Sequence, residues 1–171
     1  GYVRVHGEEC GPVVDVAGCH PFPRPEVLDQ TTGFHLCLDG TPGFSGPLRY
    51  RDTVVLVARV VCGAAERQVA LGVTAQGGPG ADAFTWSDGG RAPVHCTWRV
   101  LDPGNEASEE LVTAWGDVHL ESHLGHRLEV DEDEQGDGFL LGTCGAAVAD
   151  SASALRLRPA HMPTLPDWAH R

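Results

Sequence analysis

At 171 residues, 42% hydrophobic and 21% charged, the chain is long enough to bury one core and too apolar to stay disordered throughout. Its 24 acidic residues against 12 basic ones give a formal net charge of −12, which argues against nucleic acid or anionic membrane as a partner, because phosphate recognition needs a basic face. The basic residues are all Arg; Lys and Ile do not occur, a bias that marks a GC-rich genome and puts Val where Ile would otherwise stand in strands.

Val3 and Val5, then Val13, Val14 and Val16, predict short strands near the N-terminus. Phe34, Leu36 and Leu38 alternate with His35, Cys37 and Asp39, the period of a half-buried strand. Residues 53–62 read as a longer, central strand, and Val69, Leu71 and Val73 alternate again. In residues 94–100, Val94, Cys96, Trp98 and Val100 share one face, while His95, Thr97 and Arg99 share the other. Turn clusters separate these runs at Thr41-Pro42-Gly43, residues 77–80 and residues 87–90.

One stretch departs from the strand period. After Asn105, an N-cap residue, Glu106, Glu109 and Glu110 fall in a first-turn region, and Ala107, Leu111, Val112 and Trp115 fall on one helical face. The spacing predicts a short helix near residues 106–115. Strands are again expected at 128–130 and 139–143, and around Leu155 and Leu157. The fold class predicted is mainly β: residues 1–158 form a single antiparallel β-sandwich, or alternatively a barrel, with one short helix. Residues 159–171 form a Pro-rich extended tail.

The six cysteines, Cys10, Cys19, Cys37, Cys62, Cys96 and Cys144, are dispersed, even in number and without a C-x-x-C pair. They predict disulfide staples and a secreted protein, with fifteen connectivities open. The start at Gly1, without Met or an apolar leader, is expected of a mature secreted chain. No stretch is long and apolar enough to predict a membrane span, and Asn105-Glu106-Ala107 is no glycosylation sequon.

Two clusters carry candidate chemistry. His119, His123 and His126 stand at i, i+4 and i+7, which on a helix sets three imidazoles on one side as a zinc site. The order is H-x-E-x-H instead of H-E-x-x-H, which moves Glu121 off the face a general base would need; Gly125 interrupts the helix, a strand would put His126 on the opposite face, and surface histidines flanking a hairpin are the simpler account. Asp131, Glu132, Asp133, Glu134 and Asp137 start like a calcium-binding EF-hand loop, but Gly142 stands where the bidentate Glu belongs. They read instead as an acidic hairpin connection whose crowded carboxylates attract a cation or a basic partner.

Cys96-Thr97-Trp98 resembles the C-x-W element of class I cytokine receptors, a β-sandwich family in which such a Cys is disulfide-bonded. The resemblance covers three residues; Cys62 lies too far upstream for that family's first pair, and residues 86–90 supply half of its W-S-x-W-S element. With no catalytic motif in view, the leading expectation is a secreted, non-enzymatic binding module without a cofactor. Its acidic surface engages a basic protein ligand, as a viral decoy sequestering a host cytokine or chemokine would. The alternatives are a zinc-binding protein or metal-dependent hydrolase using His119, His123 and His126, and a structural component of an envelope or cell wall.

Overall fold

A computed structural model of the chain describes residues 2–8, 11–17, 35–38, 47–74, 81–85, 93–113, 116–132, 139–145 and 154–156. The strands are β1 (Tyr2–Glu8), β2 (Gly11–Ala17), β3 (His35–Leu38), β4 (Thr53–Cys62), β5 (Ala65–Val73), β6 (Ala81–Thr85), β7 (Trp98–Leu101), β8 (Asp117–Ser122), β9 (His126–Glu132), β10 (Phe139–Gly145) and β11 (Leu155–Arg156). β1 and β2 form an antiparallel hairpin. The other nine make one antiparallel sheet in the order β10-β9-β8-β7-β4-β5-β6, with β3 added to β4 and β11 to β8.

The valines of β4 explain its central place. Val54, Val55, Leu56, Val57 and Ala58 are buried in succession, so both faces of the strand are covered, as a β-branched run bounded by polar residues favours. Val54 and Leu56 pack with Leu71, Val73, Trp98, Val100, Val118, Leu120 and Leu128. Val55 and Val57 point the other way, onto Ala70, Cys96 and the half-buried Phe84. Beyond Arg59 the strand alternates buried and exposed and returns as β5 through Gly63-Ala64, with Gly63 at φ 62°, a conformation that glycine adopts without the Cβ clash.

β4 does not keep one neighbour along its length. Val57 pairs with both His35 of β3 and Ala70 of β5, and Val54 pairs with both Leu38 of β3 and Trp98 of β7. β5 and β7 therefore share the same edge of β4, one after the other. Where β5 leaves, β7 enters, and the Trp98 indole N–H closes the fork by donating to the Leu71 carbonyl at 2.9 Å. This single branched sheet curls until its end strands β6 and β10 approach, and the β1–β2 hairpin lies beside β4, β6 and β10. Over the described residues the architecture is a nearly closed, barrel-like antiparallel sheet, the alternative form of the expected fold, with the β1–β2 hairpin as a separate two-stranded sheet.

The helix expected near residues 106–115 does not form over its described part, 106–113. Asn105 does act as a local cap, its side-chain oxygen accepting from Ala107 N–H at 3.2 Å, but the turn stops there. Glu110 C=O instead accepts from Tyr50 N–H at 3.0 Å, Val112 N–H donates to Leu48 C=O at 2.9 Å, and Leu111 bridges Arg49. Long-range pairing has taken the groups an i→i−4 ladder would use. Trp115 lies outside the described residues.

The strand expected over 94–100 is shorter for a similar reason. Pro93 opens a 3-10 turn at Val94–Cys96, closed by Cys96 N–H on Pro93 C=O at 2.9 Å, so Val94 is 61% exposed while Cys96, Trp98 and Val100 stay buried. The histidine segment is a hairpin, β8 and β9, the simpler of its two readings, although His119 is buried and not on the surface.

Cys62 and Cys96 are buried free thiols, so neither the expected staple nor the bond implied by the C-x-W resemblance is present at these positions. The side chains of Cys10, Cys19, Cys37 and Cys144 lie outside the described residues. Burial pushes the Cys96 thiol up to about 12, which keeps it protonated and unreactive near neutrality. In the folded protein at about pH 8, Cys62 and Cys96 are expected to escape alkylation, and both to react once denaturant exposes them. Peptide mass spectrometry reads the outcome; modification of Cys96 in the folded chain would contradict its burial.

Candidate functional site

The sheet formed by β7, β8 and β9 has two unlike faces. Trp98, Val100, Val118, Leu120 and Leu128 face the core. Alternation puts the residues between them on the other face, and the register lines up Arg99 with Glu121, Glu121 with Arg127, and Leu101 with His119. A polar, charged row thus crosses three strands on the side away from the core.

The connection from β7 to β8 folds back over this row. Asp102 accepts from Gly104 N–H at 2.8 Å, Ser108 N–H donates to Asn105 C=O at 2.8 Å, and Ser108 Oγ accepts from Glu110 N–H at 3.3 Å, which rounds the segment into successive short turns. Its far end is tied to residues 48–50. Those residues are placed in turn by Arg51 N–H on Val100 C=O at 2.6 Å and by Tyr50 Oη on Asp117 C=O at 3.2 Å.

Beneath the connection lies Arg127, whose side chain is 5% exposed. Its Nη2 donates to Glu106 Oε1 and its Nη1 meets His119 Nδ1 at 2.8 Å, while Nε is buried without a partner. A guanidinium so placed requires a carboxylate, because an unpaired buried charge is far costlier than a paired one. His119 is itself only 6% exposed. Burial first, and then the adjacent Arg127 guanidinium, hold its imidazole below the ordinary 6.5, against the opposing pull of the Glu106 and Asp102 carboxylates. A neutral imidazole is the form that accepts at Nδ1.

Beside this buried group an open cleft of about 340 Å³ is lined by Arg51, Arg99, Leu101, Glu106, Ala107 and Glu121. Arg51 sits at φ 73°, the third residue of a turn in which Asp52 N–H donates to Arg49 C=O at 3.2 Å, a position that favours glycine. Its guanidinium meets Glu109 Oε1 at 3.1 Å.

His119 thus belongs to an arginine cluster, His123 is exposed in the turn after β8, and His126 is half-buried at the start of β9. Among the described residues, no three His, Cys, Asp or Glu side chains are grouped to hold a metal ion. The backbone of Asp131 and Glu132 completes β9, paired with Leu140 and Phe139; Asp133, Glu134 and Asp137 lie outside the described residues. Arg51, Arg99, Glu106, Glu121 and Arg127 carried no motif. Glu106 was read only as a first-turn residue of the expected helix, and Arg99, Glu121 and Arg127 acquire meaning once the strand register is known.

Fold and site together define a class: a branched antiparallel barrel-like domain carrying an arginine-centred polar cleft on its outer face. No family model, curated protein or solved structure matches the chain. Among the described residues no helix is long and apolar enough to cross a membrane.

Proposed function

We propose that the chain is a non-enzymatic, secreted binding module whose acidic β9–β10 hairpin engages a basic protein ligand. The observation that carries this reading is the hairpin register. β9 and β10 pair without interruption from His126↔Gly145 to Glu132↔Phe139, so the ladder ends in Asp131 and Glu132, and Asp133, Glu134 and Asp137 follow next in the sequence. Carboxylates concentrated in so short a stretch of sequence relieve their mutual repulsion by meeting a cationic surface. At the outer cleft, by contrast, Glu106 is engaged by the buried Arg127 and Arg51 by Glu109. The decoy role, with a cytokine or chemokine as the basic ligand, is the form of this proposal that the net charge of −12 favours.

A panel of small basic secreted proteins, chemokines among them, tests it by biolayer interferometry. At least one is expected to bind, about tenfold or more weakly when salt rises from about 50 mM to about 300 mM. A similar loss is expected when Asp131, Glu132, Asp133 and Glu134 are replaced by their amides. Binding indifferent to both changes, or no binding across the panel, would overturn the proposal.

A further inference from the structure

We propose that the β7–β8 connection is a strap, latched to the sheet through Glu106, Arg127 and His119, and that acidification releases it. The argument begins with how the strap is held. Between Asp102 and Glu109 its hydrogen bonds run within itself, Gly104 to Asp102, Ala107 to Asn105 and Ser108 to Asn105; among the described residues, Glu106 supplies its bond to the sheet, on Arg127. The more distant ties are both at Glu109 and both exposed: Arg49 Nη1 donates to its carbonyl at 3.4 Å, and Arg51 meets its carboxylate through side chains 50% and 75% exposed, where water and salt screen the pair. Arg127 is therefore the point on which this part of the strap depends.

Arg127 in turn is oriented from below by His119. The contact at 2.8 Å joins a guanidinium that can only donate to an imidazole nitrogen that must accept. Adding a proton at Nδ1 converts the acceptor into a second donor and puts two cations side by side in a buried place. Charged groups of both signs face His119 from each neighbouring element. From β7 it meets Leu101, with Arg99 one alternate position further; from β9, Arg127 and, on the same face, Glu129; from the strap, Asp102 and Glu106; along β8 itself, Asp117 and Glu121. Asp117 is already held by Arg156 at 2.8 Å, and Glu106 by Arg127. Of these carboxylates Glu106 is the one bonded to Arg127, so a proton on His119 sets two adjacent cations against each other beside that bond, and a displaced guanidinium carries the strap's bond with it.

The imidazole's lowered affinity for protons agrees with this geometry and sets the sign. The folded state binds the proton less readily than the unfolded chain, so the closed strap is fully favoured above about 6.5 and loses that advantage as pH falls through the lower folded value. Release uncovers Arg127, His119 and Leu101 together, a cationic face on a chain of net charge −12.

Hydrogen exchange read by mass spectrometry, with rates corrected for the intrinsic effect of pH, tests the latch between about pH 7.5 and about pH 5. Amides of residues 103–108 are expected to exchange about tenfold or more faster at the lower pH, while β4 stays protected. The midpoint should coincide with protonation of His119 followed by imidazole NMR in the same unmodified protein. His119→Gln keeps an acceptor for Arg127 but takes up no proton, so its strap should stay protected at both pH values; Glu106→Ala should leave it open at both. Strap exchange that does not change while His119 protonates overturns the proposal, as does a pH response that survives in His119→Gln. If that variant fails to fold, agreement or disagreement of the two midpoints in the unmodified chain decides alone.

Discussion

Replacing Trp98 by alanine is expected to remove most of the stability of the fold. The side chain is fully buried and sits in the largest apolar cluster, between Leu71 and Val73 of β5 and Val100 of β7. Truncating a buried Trp costs about 3–5 kcal/mol through lost transfer energy and the cavity left behind. Here a second cost adds to it. The Leu71 carbonyl accepts from the indole at the point where β5 parts from β4, and a buried carbonyl left without its partner costs about 1–3 kcal/mol. Against the about 5–15 kcal/mol typical of a domain, the sum leaves little. Trp98→Phe separates the two contributions: it keeps an aromatic ring in the core, loses the bond, and should cost about 1–3 kcal/mol. Urea unfolding followed by far-UV circular dichroism gives both values. If the two variants unfold at the same midpoint, the cavity contributes nothing and the fork bond alone matters. If Phe is neutral, the bond does not hold the fork.

How much of this could be read from the sequence depends on whether the deciding contacts were local. The strands of β4 and β5 were legible because Val and Leu recur there at period two or in a buried run, and that pattern reflects burial directly. β6, Ala-Asp-Ala-Phe-Thr, gave no such signal; it is a strand because Val73 pairs with Ala81 and Val69 with Thr85. The segment after Asn105 carried a real capping signal, and the side chain does cap. The helix failed because Leu48 and Tyr50, more than fifty residues upstream, took the backbone groups of Glu110 and Val112. His119 was singled out as a zinc ligand with His123 and His126, whereas the contact described for its Nδ1 is Arg127 across the hairpin. Spacing along the chain says which histidines could meet on a helix. Only the register of β8 against β9 says that a guanidinium arrives first.

Gly72→Ala is expected to destabilise the fold by about 1–3 kcal/mol, although glycine in a strand is ordinarily worse than alanine. The usual gain of about 0.5–1 kcal/mol comes from restricting the unfolded chain and requires open space for the new methyl group. There is none at this position. A Cβ on Gly72 would lie 2.6 Å from the His95 carbonyl oxygen and 3.0 Å from both Cys96 Sγ and Phe84 Cε2. The two side chains have little room to yield: Cys96 is fully buried and the Phe84 ring meets the His95 ring edge-on, with centroids 4.5 Å apart. The carbonyl is the harder obstacle. It belongs to the 3-10 turn that Pro93 opens and that Thr97 closes with two hydrogen bonds to Val94 C=O, from N–H at 3.1 Å and from Oγ1 at 2.7 Å, so moving it disturbs the turn that feeds Trp98 into β7. Removing the sulfur should therefore rescue only part of the loss. In a double-mutant cycle, Cys96→Ala is expected to recover about 1 kcal/mol or less of the cost of Gly72→Ala. Full recovery would place the clash on the thiol instead of the turn. A stabilised Gly72→Ala would show that β5 and the Val94–Cys96 turn are not in contact at this point, and with them would go the account of how the sheet branches.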